Sequence, residues 1–145
     1  MCGLAAIFGS SQSKKEETEK MISSISHRGP DHQGFFHEED ISLGSCRLSI
    51  FDVSDKGNMP MSDKSGRFTI IYNGEIYNFK ELKKKFNLIT RSNSDTEILI
   101  ELFAKLNLDC LKHLNGIFAF IIFDNLEKKV YCARDRLGVK PLYYL

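Results

Sequence analysis

The 145-residue chain predicts a single α+β domain, strand-rich and flanked by helices. Three observations carry that reading. Residues 67–72 (RFTIIY) are β-branched and aromatic, the composition of a half-buried strand. Residues 117–123 form the most apolar run, and a turn at 124–127 leads from it into a second strand at 129–134. Ser94-Asp95-Thr96-Glu97 has the spacing of a capping box and opens a helix to 106, with Leu99, Leu102, Phe103 and Leu106 on its apolar face.

The remaining elements follow in order. Residues 4–8 are a short apolar strand, ended by Gly9, that carries Cys2 at its start. A polar stretch leads into a helix through 25, with Met21, Ile22 and Ile25 on one face. The turn His27-Arg28-Gly29-Pro30-Asp31 precedes a strand pair at 33–37 and 41–50. Residues 52–66 read as a loop in which Met59-Pro60-Met61 is apolar enough to fold back. Residues 67–72 end at Asn73-Gly74, a dipeptide that tolerates turns, and a helix follows at FKELKKKF. Residues 142–145 begin another strand.

Composition excludes several classes of function. Lys plus Arg number 20 against 19 Asp plus Glu, so no net field recruits nucleic acid or an anionic membrane. No apolar run reaches the roughly 18–20 residues of a membrane span, and the N-terminus is not built like a secretory signal. Cys2, Cys46, Cys110 and Cys132 are far apart, and the four histidines lack ligand spacing. The expectation is a cytoplasmic, reduced protein without a metal.

Chemistry enters at the N-terminus. Removal of Met1 would leave Cys2 with a thiol and a free α-amine on one residue, a nucleophile and its base together. A free α-amine and a free thiol both titrate near neutral pH. Arg47, near a strand end, suits either a structural ion pair or the grip on a substrate carboxylate. Asn73-Gly74 suits either a plain turn or a side-chain amide and backbone N–H aimed at one point, as an oxyanion hole requires. Asp95, in a first helical turn, complements the helix dipole or faces a ligand amine.

Seven motifs occur in order across the whole chain: MCGLAAIFG, SHRGPD, CRLSIFD, YNGEIYN, SDTEILI, LNGIFAFIIFD and ARDRLGVKPLYY. Together they resemble the class II glutamine amidotransferase domain of glutamine-hydrolysing asparagine synthetases. The resemblance implies the four-layer αββα sandwich of the N-terminal-nucleophile hydrolases, here cut short at its C-terminal side. It implies Cys2 as nucleophile, with the Asn73 side chain and Gly74 N–H as oxyanion hole. It further implies Arg47 on the glutamine α-carboxylate, and Glu75 and Asp95 around the α-amine. Residues 1–145 would then be one amidotransferase domain that needs no cofactor of its own. L-glutamine is the expected ligand, and a synthetase domain using ATP and Mg is the expected partner, in cis or in trans. The apolar strand edge expected around 134–145 would be left uncovered, so self-association, as in a homodimer, is a further expectation. Met59 and Ser45-Cys46 depart from the usual pattern beside the pocket. Two other readings stay open: a partner-dependent module that keeps the fold without catalysis, and a hydrolase of some other amide.

Overall fold

The computed structural model describes residues 2–48 and 57–145. Outside the described residues lie Met1, the end of the strand expected to reach 50, the last four residues of CRLSIFD and the start of the loop expected from 52.

Two antiparallel sheets face each other. The first runs in the order β1 (Gly3–Phe8), β3 (Ile41–Arg47), β2 (His32–His37). The second runs β4 (Met61–Ser62), β5 (Phe68–Ile76), β6 (Gly116–Asp124), β7 (Lys129–Arg134). Helix α1 (Lys14–Ser24) packs on β1 and β3, α3 (Asp95–Leu106) packs on β5, and α2 (Phe79–Lys85) lies against α3. These layers make the expected four-layer αββα sandwich.

Strand alternation divides the core in two. Leu43 and Ile41 of β3 meet Ile71, Ile121 and Phe123 between the sheets, with Leu4 and Ala6 of β1 alongside. On the opposite face of β5, Phe68, Ile70, Tyr72 and Ile76 join Leu99, Leu102 and Phe103 of α3. Each such apolar side chain stabilises the fold by about 1.5–3 kcal/mol when fully buried.

Four expectations need correction. The strand 67–72 does not end at Asn73-Gly74: β5 continues to Ile76, with Asn73 opposite Ala119 and Gly74 opposite Phe118. Full pairing with β6 outweighs the local turn preference. Glycine is needed at 74 for close approach, since a Cβ there would collide with the Ile117 carbonyl oxygen. The capping box is half formed. Ser94 is the N-cap and accepts from Thr96 N–H at 3.2 Å, but buried Glu97 turns to the amides of Arg91 and Ser92 instead of that of Ser94. Met21 is exposed, because α1 closes on its sheet through Thr18 and Ile22 and ends at Ser24. Finally, residues 142–145 form no strand; Leu142 rests on the inter-sheet core while Tyr143 and Tyr144 stand in solvent.

After β7 the chain is pinned by Asp135. Its main-chain N–H donates to the Phe118 carbonyl, and its carboxylate accepts from the amides of Phe118, Val139 and Lys140. Burial acts to raise this carboxyl, but the amides of Lys140, Val139, Phe118 and Leu137 outweigh it and hold it below the usual carboxylate range.

Candidate active site

One cleft, about 680 Å³ including its open mouth, gathers residues from both sheets and from the start of α3. It is lined by Cys2, Arg47, Asn73, Gly74, Glu75 and Asp95, which are all the candidate residues read from the sequence. Tyr72, Met59, Ser94, Thr96, Ile117 and Lys140 complete most of the wall.

Cys2 immediately precedes β1, and β1 pairs antiparallel with β3 from Gly3 opposite Cys46 onward. The Cys2 carbonyl accepts from Arg28 Nε at 3.4 Å, and its thiol lies 4.0 Å from the Leu48 carbonyl oxygen. The other thiols are placed differently. Burial pushes Cys110 up to about 12 and raises Cys46 and Cys132 as well, so none of these is a ready thiolate.

Gly74 is positioned by the edge of β5. Phe118, its partner on β6, gives its own N–H and C=O to Asp135, so this pair exchanges no hydrogen bond. Two residues on, Ile76 N–H also leaves β6 and donates to Asp95 Oδ2 at 3.0 Å, while Tyr77 N–H donates to the Asn115 carbonyl. Gly74 N–H therefore points away from β6. It emerges beyond the two residues, Thr69 and Ile70, that β4 covers. Asn73 alternates onto the face of β5 that looks toward the first sheet, and is almost fully buried.

Arg47 ends β3 and is 7% exposed. The His27–Asp31 stretch, expected as a turn, instead begins in a short 3-10 helix, Ser26–Arg28, and passes through a bridge between Pro30 and Arg47, which makes it a support for this arginine. Asp31 N–H donates to the Arg47 carbonyl at 3.1 Å, and a Cβ on Gly29 would strike the Cys46–Arg47 backbone. Arg47 Nη1 donates to Asn58 Oδ1 at 2.8 Å, which holds the guanidinium in the cleft wall.

Asp95 is reached from two directions. Tyr72 Oη donates to Oδ2 at 2.8 Å and Ile76 N–H donates to the same oxygen. Burial raises the carboxyl above its ordinary range; the Ile76 amide, the Tyr72 hydroxyl and the first amides of α3 offset only part of that. The Tyr72 hydroxyl is itself pushed well above the tyrosine range, by burial first and by the charge of Asp95 second. Sequence reasoning missed Tyr72, which reads as an ordinary strand aromatic, and Lys140, which is hidden in a charged turn. Among the described residues no group of three or more His, Cys, Asp or Glu could hold a metal ion.

A thiol, an asparagine side chain, a glycine backbone, a guanidinium and two carboxyl groups thus share one cleft. Comparison with known sequences bears on the same point: the profile described as glutamine amidotransferase domain matches residues 1–145. The chain belongs to the glutamine amidotransferase domain family. A Methanocaldococcus jannaschii protein with the provisional name glutamine-hydrolyzing asparagine synthetase 2 is 46% identical, over 99% of this chain and 32% of its own length. Glutamine-hydrolyzing asparagine synthetase 1 of Bacillus subtilis is 38% identical, over 99% of this chain and 24% of its own. This amidotransferase domain therefore spans about a third or less of those relatives. Among solved structures, glutamine phosphoribosylpyrophosphate amidotransferase of B. subtilis superimposes with a TM-score of 0.81 over 97% of this chain and 38% of that one. At 20% identity that likeness speaks for the fold. No helix among the described residues is long and apolar enough to cross a membrane.

Proposed function

We propose that this domain hydrolyses L-glutamine to glutamate and ammonia through a thioester on Cys2. The observation that carries the reading is the convergence of Cys2, Asn73, Gly74, Arg47, Glu75 and Asp95 on a single cleft. In this reading Met1 is removed and the freed α-amine takes the thiol proton. The thiolate attacks the side-chain carbonyl carbon of glutamine, and the oxygen takes up negative charge between the Asn73 amide and Gly74 N–H. Collapse expels ammonia, which leaves with the proton, and forms a γ-glutamyl thioester. Water then adds to the thioester, releasing glutamate and restoring the thiol. Arg47 holds the α-carboxylate by a bidentate contact, and Glu75 and Asp95 hold the α-ammonium. No step calls for a cofactor. The ammonia would pass to a synthetase domain, in cis or in trans, where ATP and Mg activate the acceptor. The names and lengths of the relatives support that destination.

The test is covalent. Chain shown by mass to lack Met1 is treated with a diazoketone analogue of glutamine, and the adduct is mapped by peptide mass. The expected result is labelling of Cys2 alone, prevented by glutamine, with no ammonia released by Cys2→Ala. Labelling confined to Cys46, Cys110 or Cys132, or parental ammonia release from Cys2→Ala, would overturn the reading.

A further inference from the structure

Asp95 is an awkward partner for a cation. It is half-buried, and its partial removal from water favours the uncharged form, whereas an ammonium is held best by an ionised carboxylate. Two donors act against that tendency from outside its helix, and both fall on Oδ2: the Tyr72 hydroxyl at 2.8 Å and Ile76 N–H at 3.0 Å. With Oδ2 taken by both of these, Oδ1 meets no donor from outside the helix among the described residues. The backbone donor is fixed by β5. The hydroxyl is supplied by a side chain whose ring is already seated in the core between β5 and α3, so phenylalanine would fill the same volume. A tyrosine kept for packing alone has no need of its oxygen.

We infer that Tyr72 is a positioning residue for the substrate ammonium: its hydroxyl ties down Asp95 Oδ2 and turns Oδ1 to the ligand. This rests on the glutamine reading above and deepens it. The groups sharing the surroundings of Asp95 are Glu75 and Tyr72 on β5, Tyr77 just beyond it, Cys2 before β1, Arg47 on β3 and Lys140 after β7. Tyr72 is the one that donates a side-chain hydrogen bond to Asp95 among the described residues.

Tyr72→Phe tests the assignment through three readouts. First, KM for glutamine should rise about tenfold with kcat changed far less, as expected for loss of a hydrogen bond to a charged group. Second, the acid limb of kcat/KM should move to higher pH. Without the hydroxyl, burial acts on Asp95 with less opposition, so the carboxylate protonates sooner as pH falls. Third, 4-carbamoylbutanoate, which is glutamine without its α-amine, should be hydrolysed equally by parent and variant, since it offers no ammonium to position. Loss of activity toward both substrates, or an unmoved acid limb with unchanged KM, overturns the role of Tyr72 while parental glutamine turnover leaves the glutamine reading standing. A parent chain that neither hydrolyses nor binds glutamine overturns both. Should Tyr72→Phe melt far below the parent, Asp95→Asn supplies the second measurement. It retains an acceptor for the hydroxyl, and it too should spare 4-carbamoylbutanoate while raising KM for glutamine.

Discussion

The two ends of β5 are made of similar groups put to opposite uses. At the Phe68 end, polar atoms consume one another. Asp63 accepts from the amides of Ser65 and Phe68, Arg67 clamps Asp124 through Nε and Nη2, and Asn125 Nδ2 donates to the Arg67 carbonyl. At the Gly74–Ile76 end, β4 has stopped and the polar atoms look into a cleft. The contrast is sharpest between two carboxylates, Asp124 fully buried and Asp95 half-buried. Asp124 is held below the usual range, first by its bonds to Arg67, against burial, with the Glu127 and Leu126 amides adding to the effect. Asp95 is raised by burial. A carboxylate whose donors are complete contributes to stability. One left short of donors is available to a ligand and costs stability while it waits.

The largest effect that would sharpen this contrast is on the open end. Asn73→Ala should lower kcat roughly 10²–10³-fold, the usual cost of one oxyanion-hole donor, with a melting temperature near that of the parent. Steady-state ammonia release beside a thermal melt gives both numbers. Equal losses of activity and stability would erase the distinction between the ends.

Next in size is a pair of matched substitutions. Asp95→Asn should raise KM for glutamine by roughly tenfold or more, with no loss of melting temperature at pH 7. Asp124→Asn should do the reverse, leaving KM unchanged and removing roughly 1.5–3 kcal/mol of stability by denaturant titration. If both variants lose stability alike, burial does not separate the two carboxylates as described.

The smallest effect is the pH dependence of the same two groups. The Asp124 carboxyl is depressed in the fold, so its contribution is complete above the ordinary carboxylate range and is lost as pH falls through the lower folded value. The Asp95 carboxyl is raised, so its cost is complete at neutral pH and disappears as pH falls through the higher folded value. Between parent and Asp124→Asn the stability gap should therefore narrow on acidification. Between parent and Asp95→Asn, any advantage of the variant should shrink over the same descent. Melts taken across the acid range read both trends.

Much of the cleft was legible in the sequence because its members are chemically conspicuous. A cysteine after the initiator, an arginine amid apolar residues and an aspartate after a cap each stand out in one dimension. The hairpin of β6 and β7 and helix α3 were legible from local pattern. What was not legible depends on long-range pairing. Asn73-Gly74 carries a turn preference that only the presence of β6 overrides. Glu97 fits a capping box until Arg91 and Ser92 arrive to take its oxygens. Tyr72 shows an apolar face to any pattern analysis, and its hydroxyl acquires a meaning only when α3 brings Asp95 to it.

The crowding at position 74 has a consequence for mutational scanning. Any side chain there meets the Ile117 carbonyl and the Phe118 backbone, so a saturation library should show no tolerated residue but glycine. That intolerance would arise whether or not the amide at 74 ever meets a substrate, because the two strands cannot otherwise lie together. Depletion at 74 is thus uninformative about chemistry. Its neighbour Asn73 is the position to score, since a substitution profile that keeps abundance but discards turnover can come only from the cleft side of the strand.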